Sequence, residues 1–85
     1  MNRKRLLSRL SQGAVDNVRF ADFRDLVEAF GFVPSRVRGS HHIFSHPAIP
    51  NLINLQDARG QAKPYQIRQF LRTVERYNLV LEASE

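Results

Sequence analysis

The stretch that decides the fold is Arg36-Val37-Arg38-Gly39-Ser40-His41-His42-Ile43-Phe44-Ser45-His46-Pro47. Its Gly-Ser pair stands between two segments that favour extended backbone, which predicts a hairpin of two antiparallel strands. The second of these strands carries all three histidines of the chain, and two arginines precede the turn. The stretch therefore predicts imidazoles presented on a sheet beside guanidinium groups, an arrangement suited to an anionic ligand.

The segments on either side of the hairpin complete an α+β domain. Five apolar residues between 20 and 30 recur at helical spacing, and Gly31 then offers a left-handed stop. We expect strands over residues 32–38, 41–46 and 52–56, a turn at 47–51 and a polar loop at 57–61. A second helix begins at Lys63-Pro64. This order predicts a three-stranded antiparallel sheet with both helices on one face and a wet opposite face.

Residues 1–18 form a basic extension, and residues 19–85 form the main domain. Leu6, Leu7 and Leu10 share one side of a short amphipathic helix within residues 2–12, surrounded by basic side chains. We expect this helix to dock only weakly on the domain. Two roles fit it equally well, a solvated tether and an arm that contacts RNA.

Length and composition limit the class of protein. Eighty-five residues make one domain with one modest core, and six phenylalanines argue against disorder. No apolar run approaches the ~20 residues of a membrane span, and the basic start lacks the apolar segment of a secretory signal. The chain has no cysteine, which fits a cytoplasmic protein.

The charge of the chain points to nucleic acid. The net charge is +5, and arginine supplies eleven of the thirteen basic side chains. Residues 1–12 carry +4 and residues 33–63 carry +3, whereas residues 13–32 carry −2. Because arginine makes planar, two-pronged contacts with phosphate, a nucleic acid is the expected partner.

The histidine stretch fits acid–base chemistry better than metal binding or a nucleophilic triad. At roughly 3.3 Å per residue, His42 and His46 share a strand face but stand ~13 Å apart, while His41 points to the opposite face. No metal site and no cofactor are therefore expected. Ser40 is merely adjacent to His41, and the chain lacks a G-x-S-x-G elbow. A metal-free ribonuclease needs a proton-transfer group and cations, because RNA supplies its own 2′-hydroxyl nucleophile. From the residues alone, a catalytic and a structural histidine both remain open.

The Gly39-Ser40-His41 motif also carries a family resemblance. With a helix that ends in Phe30-Gly31-Phe32 before it and the helix led by Lys63-Pro64 after it, the chain resembles the HicA family of bacterial toxins over about residues 20–79. The resemblance implies a double-stranded-RNA-binding-domain-like α-β-β-β-α fold and ribosome-independent, metal-independent endonuclease activity on mRNA. It also implies neutralisation by a HicB-type antitoxin. The family's catalytic histidine directly follows Gly-Ser, which makes His41 the expected general acid or base.

The expected RNA-binding residues are Arg36, Arg38, Ser40, His42, Arg59 and Lys63. Three of these expectations have alternatives: His42, like His46, faces RNA or is simply exposed, Lys63 binds phosphate or caps its helix, and Ser40 bonds the turn or a phosphate. Many family members carry a histidine in the third strand where this chain has Gln56. Its absence would lower activity or move the role of second acid or base to His42 or Lys63.

Two other functions are compatible with the sequence. One is a non-catalytic RNA-binding module of the same fold, which would read A-form RNA through backbone and 2′-hydroxyl contacts. The other is a protein-interaction domain whose basic surface meets an acidic partner. The sequence indicates no oligomeric state.

Overall fold

A computed structural model describes residues 2–81, and within them three helices accompany a four-stranded antiparallel sheet of order β1-β2-β3-β4. The elements are α1 (Arg3–Ser11), α2 (Phe20–Ala29), β1 (Val33–Arg38), β2 (His41–His46), β3 (Ile49–Ala58), β4 (Gln61–Ala62) and α3 (Pro64–Arg76). The predicted α+β class and the helix–sheet–helix order are confirmed, and so is the short N-terminal helix.

The core lies between the helices and one face of the sheet. Phe44 of β2 is 1% exposed and belongs to the same buried cluster as Phe23 of α2 and Phe70 of α3. The rings of Phe23 and Phe70 meet edge to face with centroids 5.5 Å apart. Burial of one such side chain stabilises the fold by about 1.5–3 kcal/mol. Because both domain helices cover the same face, the opposite face of the sheet is open to solvent.

The N-terminal helix α1 is an integral part of the domain, so the expectation of weak docking is wrong. Leu6 and Leu10 are each 1% exposed and join the main core. The Asn2 side chain accepts a hydrogen bond from the Arg5 amide at 3.0 Å and caps the helix. The Arg3 guanidinium donates two hydrogen bonds of 2.9 Å each to the Asp25 carboxylate of α2. These contacts fix α1 against α2.

The sheet is larger than predicted at β3 and β4. Strand β3 begins at Ile49 instead of residue 52, because this buried side chain pairs with His46 directly after a short turn at 47–48. The predicted polar loop at 57–61 is a tight hairpin, in which the Asp57 carboxylate accepts the Gly60 amide at 2.6 Å. Strand β4 is held on its other side by residues 18–20, through bonds from Ala62 to Val18 and from Phe20 to Gly60, each of 2.8 Å.

The C-terminal helix ends as predicted. Asn78 adopts the left-handed conformation with φ of 55°, and the Leu79 amide bonds back to the Val74 carbonyl at 2.9 Å. The expected extension or fraying of residues 80–85 falls largely outside the described residues. None of the helices within residues 2–81 combines the length and the apolar character needed to cross a bilayer.

Candidate active site

The hairpin turn places His41 at the first position of β2. Only two residues, Gly39 and Ser40, connect β1 to β2, and Gly39 has a φ of +58°. A positive φ at the first position is what a type II′ hairpin requires, and glycine adopts it without steric strain. The Ser40 carbonyl accepts the Asp57 amide at 2.8 Å, which ties this turn to the end of β3. The turn is thus joined to β1 and β2 by the chain and to β3 by this hydrogen bond.

The two faces of β2 separate the histidines as predicted. His42 and His46 lie on the helix side, where His42 contacts the Phe20 ring at 4.7 Å and His46 contacts the Phe32 ring at 4.9 Å between centroids. His41 projects from the open face and is exposed. The ring of His42 is half-buried against α2 on the face opposite to His41, and its expected RNA contact stays a prediction. Of the three histidines, His41 is the one available to a large ligand on the open sheet.

His46 has a structural role. Its Nδ1 accepts the Ala48 amide at 3.0 Å, and its Nε2 lies 3.1 Å from the Phe30 carbonyl, to which it donates. Both ring nitrogens are therefore used to join the β2–β3 turn to the end of α2. This arrangement fixes the neutral tautomer with the proton on Nε2, and it differs from the expectation of an exposed or RNA-facing side chain.

Two rows of side chains cross the open face. Residues opposite each other in antiparallel strands project from the same face. Arg38, His41 and Gln56 are register partners and form the first row across β1, β2 and β3. Arg36, Ile43 and Asn54 form the second row in the same way. The site is therefore built from three strands, with guanidinium groups on one side of the histidine and amides on the other.

A bulge in β1 brings the two arginines to this face. Pro34 pairs with Phe44 on the helix side, yet Arg36 pairs with Ile43 on the open side, so Ser35 is the extra residue. In an uninterrupted ladder Arg36 would pair with His42 and project toward the helices. The bulge thus reverses the faces of β1 beyond Pro34, a common way in which strands aim side chains at a site.

Asn54 orients the imidazole of His41. The Nδ1 of His41 lies 3.1 Å from the Asn54 side-chain oxygen. Because that oxygen can only accept, Nδ1 carries the proton and the lone pair is on Nε2. Nε2 has no hydrogen-bond partner among residues 2–81. The sequence prediction missed Asn54, although the alternation of residues 52, 54 and 56 places it on the same face as Gln56.

The remaining expected cations lie at the same end of the sheet as His41. Arg59 occupies the β3–β4 turn with a φ of 55°, directly after the segment that bonds Ser40. The main-chain amide of Gln56 donates to the side-chain oxygen of the buried Gln66 at 2.8 Å. This bond holds the first turn of α3 beside the first row. Lys63 immediately precedes that turn. It occupies the N-cap position without a side-chain capping bond, and its Nζ lies 6.0 Å from the centre of the Tyr65 ring.

The described residues hold no cluster of three or more histidine, aspartate or glutamate side chains placed to bind a metal ion. The open face carries an exposed imidazole with a defined tautomer, with arginines on the neighbouring strand β1. Such a group can take a proton from a hydroxyl next to a bound phosphodiester.

Comparison with known proteins supports a family assignment for this architecture. The sequence model of the family described as "HicA toxin of bacterial toxin-antitoxin" matches residues 20–75. No curated protein and no solved structure matches the chain significantly. The matched segment runs from the first residue of α2 almost to the end of α3, so it contains the whole sheet and the histidine hairpin. The chain belongs to the HicA toxin family of bacterial toxin–antitoxin systems.

Proposed function

We propose that this HicA-family toxin is a metal-independent endoribonuclease that cleaves mRNA, with His41 as the proton-transfer group. The observation that carries the proposal is the contact between His41 Nδ1 and the Asn54 oxygen at 3.1 Å. It leaves the basic Nε2 exposed on an open sheet face, in register with Arg38. In the same strand, His46 uses both of its ring nitrogens in hydrogen bonds to the main chain.

The proposed reaction uses the nucleophile that RNA supplies. His41 Nε2 removes the proton of a ribose 2′-hydroxyl, and the 2′-oxygen attacks the adjacent phosphorus. The bond to the 5′-oxygen breaks and that oxygen takes a proton from water, leaving a 2′,3′-cyclic phosphate and a 5′-hydroxyl end. The imidazolium of His41 then returns its proton to solvent. As the ring becomes cationic, the Asn54 oxygen stabilises the proton on Nδ1, much as the third member of a catalytic triad orients its histidine.

The cations bind the phosphates and the charge that develops on them. Arg38 stands directly beside His41 in the first row, and Arg36 stands in the second row. A guanidinium can hold two phosphate oxygens at once, which both positions the linkage and stabilises its added charge. Ser40, Arg59 and Lys63 then bind phosphates that flank the cleaved linkage. The Gln56 side chain has no ionisable group, and its amide can only form hydrogen bonds with the substrate.

We also propose that a HicB-type antitoxin neutralises this toxin in the cytoplasm by binding to the open face. The family assignment implies an antitoxin partner, and residues 33–63 carry a charge of +3. An acidic partner on this face would meet charges of opposite sign and cover His41.

The experiment is a cleavage assay with purified protein and a single-stranded RNA in the presence of EDTA. We expect products with 2′,3′-cyclic phosphate ends. A substrate that carries 2′-deoxyribose at the cleaved nucleotide should bind equally well and stay intact. Cleavage of the deoxy substrate would contradict the mechanism, because it would require a nucleophile other than the 2′-hydroxyl.

One observation favours a second candidate, a non-catalytic RNA-binding module. The register partner of His41 in β3 is Gln56, and an amide cannot act as a second acid or base. The same assay separates the two candidates, since this one predicts salt-sensitive RNA binding without any strand scission.

A further inference from the structure

Strand β3 has an unpaired outer edge over most of its length. Strand β4 pairs with it only at Asp57 and Ala58. Because the Asp57 amide bonds the Ser40 carbonyl on the β2 side, the main-chain groups of Asn54 and Gln56 point away from β2. The Gln66 side chain accepts a hydrogen bond from the Gln56 main-chain amide. The main-chain amide and carbonyl of Asn54 have no main-chain partner within residues 2–81. An edge of this kind is a template for another strand.

A groove runs between this edge and α3. Its volume is about 850 Å³, and its lining includes β3 from Asn51 to Leu55 together with one side of α3. Its floor is apolar, formed by Ile53, the buried Leu55 and the buried Phe70. Leu52 stands at the rim and is 60% exposed. At about 3.3 Å per residue, the five residues of β3 give the groove a length of roughly 17 Å, enough for one short strand.

The α3 wall of the groove is positively charged. Arg72 and Arg76 are exposed one helical turn apart, and both line the groove together with Glu75. The wall therefore has a net positive charge, in a chain whose own net charge is +5. In an extended segment bound along β3, one alternate set of side chains would point toward the floor and α3, and the other set would point toward the open face of the sheet. Carboxylates near α3 would then meet the two guanidinium groups.

We propose that this groove binds an extended acidic segment of a protein partner, which adds to β3 as a further strand. The unpaired Asn54 main chain supplies backbone hydrogen bonds, the apolar floor takes an aliphatic side chain, and Arg72 and Arg76 select for carboxylates. This inference goes beyond the proposed ribonuclease function, and it involves neither His41 nor the arginines of β1. RNA fits the groove poorly, because an apolar floor and a strand edge do not match a phosphate backbone. A second copy of this chain would bring like charges together.

The test uses a fluorescein-labelled synthetic peptide, six residues long, in which threonine alternates with valine or glutamate, so that valine and glutamate share the strand face toward the floor and α3. The peptide is titrated into the full-length protein. We expect saturable binding followed by anisotropy, and amide chemical-shift changes at Asn54 and along the groove side of α3. The pair of substitutions Arg72→Glu and Arg76→Glu should weaken binding by at least about tenfold. Arg68→Glu reverses one charge at an exposed position on α3 outside the groove, as each member of the pair does within it, and should change affinity less than about twofold.

A modified peptide tests the strand geometry without altering the protein. Methylation of the alternate amides that would face Asn54 removes the donors and should abolish binding, whereas methylation of the other set should be tolerated. Equal binding of both methylated peptides would overturn the proposal, and so would the absence of binding. Two further results would also overturn it: a single-stranded RNA that displaces the peptide, or sedimentation showing that the free protein is a dimer which the peptide dissociates.

Discussion

Nδ1 of His41 and the side-chain oxygen of Asn54 lie 3.1 Å apart, across the two central strands of the sheet. Asn54 belongs to the row next to that of His41, so the contact runs diagonally between β2 and β3. This geometry assigns the proton to Nδ1 and the basic lone pair to Nε2. Asn54 is therefore a positioning residue for the proposed chemistry, and its role differs from that of the arginines.

Substitution of Asn54 should slow cleavage and change its pH dependence. We expect Asn54→Ala to lower the cleavage rate by about tenfold or more, because the ring loses its fixed tautomer. Asn54→Asp keeps an acceptor but adds a negative charge that stabilises the imidazolium, so the pH–rate profile should move to higher pH. The measurement is the single-turnover rate as a function of pH. A profile identical to that of the wild type in Asn54→Asp would show that the contact does not act through His41.

The arginines of β1 should govern salt-dependent RNA binding. Removal of two phosphate contacts by Arg36→Ala with Arg38→Ala should reduce the slope of log affinity against log salt by about 1.4 for single-stranded RNA. The measurement is a salt titration of RNA binding by the His41→Ala protein, in which RNA stays intact. Arg68→Ala with Arg72→Ala is the matched control, because it removes two exposed arginines from α3 on the helix side. An equal change of slope in the control would mean that charge acts without regard to position.

The histidines should differ in their contribution to stability. His46→Ala removes hydrogen bonds to the Phe30 carbonyl and the Ala48 amide, and the free energy of unfolding should fall by about 2–3 kcal/mol. His41→Ala alters an exposed side chain and should change it by less than about 0.5 kcal/mol. Urea denaturation of both variants measures the difference. Equal stability of the two would contradict the structural role of His46.

The ion pair between α1 and α2 should make stability depend on pH. The hydrogen-bonded Arg3 guanidinium holds the pKa of the Asp25 carboxyl below its ordinary value of 3.8. Because the folded-state pKa is the lower one, the stabilisation is fully present well above pH 3.8 and is lost as the pH falls through the folded-state value. The Asp25 side chain is 47% exposed, so the contribution at neutral pH is below about 1 kcal/mol.

Asp25→Asn tests this linkage. The variant should be less stable than the wild type at neutral pH and equally stable at low pH, where the wild-type carboxyl is protonated. Urea unfolding across the acid range measures the difference, and Glu28→Gln on the same helix serves as the control for an exposed carboxylate. A difference that persisted unchanged at low pH would indicate that packing, and not charge, accounts for the effect.

Local patterns predicted the hairpin and the helices, because their causes are local. Gly39 adopts the positive φ that a two-residue turn needs, and the phenylalanine spacing of α2 marks one buried face. Strand β4 was not predictable in this way. Its two residues are stabilised by hydrogen bonds to residues 18–20, far away in the sequence, while their own composition is that of a loop.

Only the part of the candidate site that depends on local sequence could be predicted. His41 was found from the Gly-Ser-His motif, and its exposure on the face opposite to His42 follows from strand alternation. The contact with Asn54 depends on the register between β2 and β3, and the position of Arg36 depends on the bulge after Pro34. Neither can be derived from alternation alone. The structural role of His46 depends on a hydrogen bond to the Phe30 carbonyl at the end of α2.

The central claim is that the imidazole of His41 performs the proton transfer, and one comparison tests it most directly. The cleavage rate of a single-stranded RNA in EDTA is measured for the wild type and for His41→Ala, with circular dichroism to confirm that both are folded. We predict that the variant binds the RNA with similar affinity and cleaves it at least about 100-fold more slowly. Cleavage by the folded variant at the wild-type rate would contradict the account.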